Sequence, residues 1–569
     1  MAGRVFGACL CSLLHINFVA VGDFMRIGNW WGSAALSAVF LLSGCASMES
    51  HDNLATKVEA VRAAAGPEAA LKELDASATS ADARAALLFN MERGELLRQN
   101  GKYKESTVAW LLADSKVNEW ESKAKTDPSK LFGMIGAAVI SERLKPYEGQ
   151  DYEKVWLTTR LALNRIAEQD WDTARVDIKR THEREAVIAE FRAKETVAAE
   201  EAAKSKGAAI TQKELNGYPV QTLNDPDVLK LRNGYQNALS HYLAGFLYEV
   251  LNEPGLAAPG YNQAIQLQPD SPLLDEGLKG LDNRTSFTHK RKQRMTDVLF
   301  VIESGNAPAR KPMNFPIPVP INGRINSISI SYPVIDPSRE VGPRQLTVGT
   351  TQLAAAPVVD LNVMARRALK DDMPGMVVRG ITRAIAKGVF QDQMNKQGGA
   401  IVGLLATVAS VATEQADDRI WRTLPGLVTI ARGYVPEGEH KLQIDGRDSG
   451  VTVKVQGQYA LVPLRVRGSA VSLGEVAMFG QLQPVLAAAE PAKGSVVVPT
   501  RAVVSTASTT ASTKPAAKAA AVTAVAQPAK PVATKAATPT PATKPVAAAT
   551  AAKPASAAMS ARAASASTN

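Results

Sequence analysis

The sequence predicts an α+β protein: an N-terminal α-helical repeat domain, a smaller β-rich domain with one buried helix, and a disordered C-terminal tail. Three observations carry this. Residues 54–285 hold long proline-poor stretches with apolar positions three and four apart, the period of a helix with one buried face. Residues 296–475 hold short runs that alternate apolar and polar, punctuated by Gly305, Pro308, Gly438 and Gly446. Residues 488–569 are Ala, Pro, Thr and Lys with almost no large apolar side chain, a composition that cannot bury enough surface to fold.

The N-terminus comes first. Arg26 is followed by an apolar run, Trp30 to Leu42, and by small residues, the order of a secretory signal. The run is thirteen residues long. A membrane-crossing helix needs about 20. An ordinary signal ends in an A-x-A-like site, whereas this one ends in Leu42-Ser43-Gly44-Cys45. That tetrapeptide resembles the lipobox of bacterial lipoproteins. The resemblance implies cleavage before Cys45, a diacylglyceryl thioether on its sulfur and an acyl chain such as palmitate on the new amino terminus. Residues 1–44 are then a signal peptide, with translation expected to start at Met25, and residues 45–53 a short polar tether. Ala46 stands where an aspartate commonly retains such proteins at the inner membrane. By resemblance it implies the outer membrane, with the protein lipid-anchored on the periplasmic face.

The helical stretch contains repeats. In one unit Gly245, Tyr248, Ala257, Tyr261, Ala264 and Pro269 are spaced as small, aromatic and terminating residues of two packed helices. Gly245 and Ala257 permit close approach, the tyrosines fill the space beside them, and Pro269 ends the second helix. A second unit reads Gly94, Leu97, Gly101, Tyr103, Trp110 and Ala113, with Asn100-Gly101 as its turn. A third reads Leu161, Ala162, Trp171, Ala174 and Ile178, with Gln169-Asp170 as its turn. The spacing resembles tetratricopeptide repeats, which implies a groove for a protein partner, with Tyr235, Tyr242 and Trp156 as candidate groove aromatics. A plain helical bundle accounts for the same small residues. The two differ in whether a groove stays open.

Strands are expected at 297–303, 325–332, 427–432, 441–445 and 451–456. Val435 to Leu442 resembles the turn of PEGA domains. A helix is expected over 375–418. Its centre, Ala400 to Ala412, is apolar, and Gly399 and Gly403 make the G-x-x-x-G spacing of touching membrane helices. It is too short to span a bilayer, so a helix buried against the sheet is the expectation. The segment Glu414-Gln415-Ala416-Asp417-Asp418-Arg419-Ile420-Trp421-Arg422-Thr423-Leu424-Pro425 follows. With Tyr152-Glu153-Lys154-Val155, Leu161-Ala162-Leu163-Asn164 and Glu303-Ser304-Gly305-Asn306-Ala307-Pro308, it resembles an uncharacterised family of bacterial envelope lipoproteins with tetratricopeptide-like repeats. Trp421, Arg422, Leu424 and Pro425 are the motif positions. The resemblance runs over residues 80–445 and implies a location and an architecture; it brings no activity, and the basic tail departs from it.

Chemistry is sparse. Six histidines are scattered without metal-ligand spacing, so no metal and no cofactor is expected. His241 falls where the repeat carries a large packed residue. No catalytic residue is assigned, although Glu414, Asp417 and Asp418 form the densest carboxylate cluster of the β-rich part. A sugar-cleaving enzyme uses two such groups; a structural ion-pair network beside Arg419 and Arg422 is the plainer reading. His289 to Arg294 reads as a solvated interdomain linker. Cys9 and Cys11 precede the lipid cysteine, so the mature body has no thiol for a disulfide. Residues 491–569 carry seven lysines, two arginines and no acid, hence nine of the ten net positive charges. The near-neutral body argues against nucleic acid as a partner. The tail reads as a proline-stiffened spacer or as a contact for peptidoglycan or another anionic polymer.

These features point to a lipid-anchored periplasmic scaffold or adaptor that binds protein partners in cell-envelope assembly. The alternatives are an accessory or regulator of surface-polymer export or cell-wall synthesis, and a carbohydrate-active enzyme using Glu414, Asp417 or Asp418.

Overall fold

The structure, a computed structural model, describes residues 51–127, 143, 145–205, 217–321, 324–380, 382–383 and 415–482. Cys45, Glu414, Gly399, Gly403 and the tail 488–569 lie outside them. The fold is α+β: helices come first, and a curled nine-stranded sheet follows.

The helical half opens with α1 (His51–Ser77), which breaks at Gly66 (φ 85°) and restarts on Pro67, a residue suited to a first turn. Three antiparallel hairpins follow: α2 (Leu87–Gln99) with α3 (Tyr103–Thr126), α4 (Asp151–Ala167) with α5 (Trp171–Ser205), and α6 (Ala238–Val250) with α7 (Pro254–Leu267). All three close in one way. Gly101, Gln169 and Asn252 take left-handed backbone (φ 71°, 63° and 62°) just past the first helix. The next amide then reaches back: Lys102 N to Leu97 O at 3.0 Å, Asp170 N to Arg165 O at 2.8 Å, Glu253 N to Tyr248 O at 2.7 Å. This cap satisfies helix-end carbonyls that would otherwise lack partners.

The register repeats around these caps. Gly94, Ala162 and Gly245 each stand seven residues before the left-handed residue, and Trp110, Ile178 and Tyr261 nine after it. The small residue receives the large one. A Cβ on Gly94 would overlap the Trp110 indole, and one on Gly245 would lie 2.6 Å from Tyr261 Cδ1. Ala113, Ala174, Ala257 and Ala264 are fully buried at the same seams. Polar pairs stitch the hairpins together. Asn164 Nδ2 donates to Ser106 Oγ (2.9 Å), and Arg184 Nη2 to Asp114 Oδ1 (2.9 Å). His241 stacks on His182 (centroids 4.9 Å apart), with Nε2 3.1 Å from Glu185.

The sheet runs β10-β9-β1-β6-β5-β4-β7-β8, with β11 also on β9. Its members are β1 (Thr296–Ser304), β4 (Gln345–Val348), β5 (Thr351–Asp360), β6 (Leu427–Val435), β7 (Gly438–Ile444), β8 (Arg447–Val455), β9 (Tyr459–Arg467), β10 (Ala470–Leu473) and β11 (Ala477–Phe479). A separate hairpin pairs β2 (Lys311–Ile321) with β3 (Arg324–Val334). Strand β1 lies between antiparallel β6 and parallel β9, and all nine of its residues are buried. Leu299 and Val301 join the core shared with the helices, while Val298, Phe300 and Ile302 fill a second core inside the curl of the sheet. Two-sided burial explains its unbroken apolar run. Asp445 and Gly446, both left-handed, make the two-residue turn from β7 to β8.

The helix between β5 and β6, α8, begins at residue 361, not 375, and is helical over its described residues 361–380 and 382–383. The Asp360 carboxylate caps it, accepting from Val363 N at 3.0 Å. Pro374 lies within it on the exposed side. Arg366, fully buried, ties it to the Thr222 carbonyl and Asp225 (both 2.9 Å). Residues 287–292 form a short helix in place of a bare linker, and Gln293 is buried. The expected groove aromatics Trp156 and Tyr242 are interior, because α4 and α6 are covered along their length by their neighbours and the sheet; Tyr235 is half-buried.

Candidate functional site

The segment 415–425 has no regular secondary structure, so its backbone N–H groups need partners from elsewhere. Two glutamates on different hairpins supply them. Glu92 of α2 accepts from Arg422 N (2.6 Å) and Thr423 N (3.0 Å), and Glu153 of α4 accepts from Trp421 N (2.6 Å) and Gln150 N (3.0 Å). Tyr147 OH donates to the same Glu153 carboxylate. Trp421 is fully buried, edge-on to Trp110 at 6.1 Å, with Nε1 on Thr423 Oγ1 (3.0 Å). Leu424 O receives Ala307 N (2.8 Å), and Gly426 N donates to Ser304 O (3.0 Å). The segment is a strap that joins two helical hairpins to the start of β6.

The strap also holds the first helix. His51 Nε2 sits 2.9 Å from Ile420 O, Asp52 N donates to Asp418 Oδ2 (3.3 Å), and Arg422 pairs with the Asp52 carboxylate. Asp418 is buried, with Arg143 3.7 Å away, while Asp417 grips Arg419 Nε at 2.7 Å. Arg419 reaches on to Lys145 O (2.9 Å). Of the three acid–base candidates, Asp417 and Asp418 are thus in ion pairs, and Glu414 lies outside the described residues.

Beside the strap lies a buried charge network. Arg160 pairs with Glu303 and stands 3.2 Å from Glu95; Arg465 lies 3.2 Å from Glu303 and 3.4 Å from Glu95. Arg62 and Arg465 both donate to Asn306 Oδ1. Burial alone would raise the Glu303 carboxyl, but Arg160, Arg98 and Arg465 outweigh it and hold it at about 2. A second network joins Arg432 to Glu249 (2.8 Å) and Asp297 (2.7 Å), with Tyr261 OH on Glu249 (2.7 Å). Removing one partner of such a buried set strands the other charge, at about 3–5 kcal/mol. Glu92 and Glu153 differ, having no guanidinium against them. Desolvation dominates, raising Glu92 and lifting Glu153 from 4.5 to about 7.

Stretches far apart in sequence therefore meet: 152–155 through Glu153, 303–308 through Glu303, Asn306 and Ala307, and 420–425 through Trp421, while 161–164 joins their common core through Leu161 and turns Asn164 toward Ser106. Arg422 lies at the edge of this cluster, Leu424 and Pro425 inside it. Of the repeat positions, Gly94, Ala162, Ala174, Gly245, Tyr248, Ala257, Tyr261 and Ala264 are interior, Gly101 makes its turn, and Pro269 sits in the exposed turn after α7.

A cleft of about 720 Å³ opens next to the strap. Its buried wall includes Leu74, Ala78, Leu87, Leu88 and Trp120. Lys116, Glu119, Lys123 and Glu148 stand exposed around it, and His51 and Arg419 bring it up to the strap. This cleft was not legible in the sequence, because its wall comes from three separate helices. Glu92 was also missed. Its one signal is a carboxylate two residues before Gly94, on the face of α2 that packs inward.

Among the described residues no group of three or more His, Cys, Asp and Glu side chains is placed to hold a metal ion. Nor is any described helix long and apolar enough to cross a membrane. Comparison of the chain with protein-family models, with characterised proteins and with solved structures finds no match.

Proposed function

We propose that the protein is a lipid-anchored scaffold of the bacterial envelope, held through Cys45 at the periplasmic face of the outer membrane, with tetratricopeptide-like hairpins that bind a protein partner. The observation that carries this reading is Leu42-Ser43-Gly44-Cys45 closing a short apolar run. The hairpins support it through their repeated caps and small–large seams. A scaffold is favoured over a sugar-cleaving enzyme by the engagement of Asp417 and Asp418 in ion pairs.

With Trp156 and Tyr242 inside, a partner meets the outer faces. On α3 the side chains of Val108, Leu111 and Leu112 are 61%, 41% and 53% exposed. Their spacing places them on one stripe of the helix. Crosslinking in intact cells followed by mass spectrometry tests the reading. Crosslinks to envelope proteins that weaken in Leu112→Asp are expected. Crosslinks confined to cytosolic proteins, or unchanged in that variant, contradict it.

A further inference from the structure

Five residues, 46–50, separate the lipid cysteine from His51, six chain steps in all. Fully extended they span at most about 20 Å. The end they lead to is fixed. His51 and Asp52 are tied to the strap at Ile420, Asp418 and Arg422, and the strap is tied to α2 and α4 through Glu92 and Glu153. A short tether on a fixed end sets orientation as well as attachment. The part of the surface around His51 cannot leave the bilayer by more than the tether's reach.

The cleft lies at this place, and His51 and Leu54 line it. Its chemistry suits the boundary of a membrane. The wall is aliphatic and aromatic (Leu74, Leu87, Leu88, Phe89, Trp120), and exposed charges of both signs stand around it (Lys116 and Lys123 against Glu119 and Glu148). An apolar interior takes an acyl chain, each buried methylene contributing about 0.8 kcal/mol. Paired cationic and anionic groups answer a headgroup that carries both a phosphate and an ammonium. The volume falls within the range of ordinary ligand pockets, about 300–1,000 Å³.

We propose that this cleft faces the bilayer and takes the acyl chain of a zwitterionic phospholipid from the leaflet in which Cys45 is anchored. The inference rests on acylation of Cys45. It assigns the cleft as a lipid site and makes the strap face the membrane-proximal face of the protein.

The test uses the full-length protein in its native membrane, with a photo-crosslinking residue in place of Phe89, which is half-buried in the cleft. A second copy carries it in place of Val176, which is exposed on α5. After irradiation, adducts are identified by mass spectrometry, and the N-terminal peptide of each sample is weighed. A phospholipid adduct at Phe89 and none at Val176 is expected, with an unchanged melting temperature in both. With Cys45 acylated, four results overturn the lipid site: no lipid adduct, an adduct only with residues 128–142 of the same chain, an adduct with another protein, or equal lipid labelling at both positions. An unmodified Cys45 overturns the anchor reading, and this inference with it.

Discussion

Gly94 and Gly245 show how much of this fold depends on a missing methyl group. Each faces the ring of the large residue from the second helix of its hairpin, and each ring is fully buried. Trp110 cannot step aside freely, because Nε1 is bonded to Met91 O at 3.1 Å and its ring meets Trp421. Gly94→Ala and Gly245→Ala are therefore each expected to destabilise the protein by about 1–3 kcal/mol, the usual cost of overpacking a filled core. Gly101→Ala carries no such overlap, only the cost of left-handed backbone. Urea unfolding of the variants measures this; a stability equal to wild type in Gly94→Ala would contradict the packing described. These positions were legible in the sequence because small and large residues recur at fixed offsets from a turn. Glu92, Glu153 and Glu303 were not legible as a set, because their partners lie between about 140 and 330 residues away.

At the scale of elements, the strap is the most informative piece. Its stretch stood out in sequence through Trp421 and its dense charges, for which an ion-pair network was the plainer reading and acid–base chemistry the alternative. In three dimensions the charges serve attachment, with Asp418 toward α1, Arg419 toward Lys145 and Arg422 toward Asp52. Glu153 makes this attachment sensitive to pH. Its carboxyl titrates at about 7 in the fold against an ordinary 4.5. The folded state therefore holds the proton more tightly, so the associated stability is fully present below about 4.5 and is lost as pH rises through about 7. The loss amounts to about 3 kcal/mol at one pH unit per 1.4 kcal/mol. In Glu153→Gln the amide oxygen can still accept from Trp421 N, and nothing titrates. The stability of the variant relative to wild type should rise by about that amount between pH 4.5 and pH 8. A difference that stays constant across this interval would contradict the role given to Glu153. Among the strands, β1, β3, β6, β7 and β8 were legible from alternation or apolar runs. Strand β2 was hidden by Pro312, Pro316, Pro318 and Pro320, and β9 by Pro463. The expected start of α8 at 375 falls one residue after Pro374, which stands inside the helix at an exposed position.

At the scale of the whole molecule, the helical hairpins and the sheet share one core from Leu87 through Trp421 to Tyr459. Both networks of buried charge straddle that seam, through Arg160–Glu303 and Glu249–Arg432. The body therefore behaves as a single mass, and the proposed function depends on what the five residues between Cys45 and His51 attach it to. The most direct measurement is the mass of the N-terminal peptide of the protein isolated from its host's membranes. The account predicts a chain that begins at Cys45 and carries a diacylglyceryl thioether and an acylated amino terminus, with Cys45→Ser accumulating as an unprocessed chain. A peptide from residues 1–44 still attached to an unmodified Cys45, in protein recovered from the soluble fraction, would contradict it.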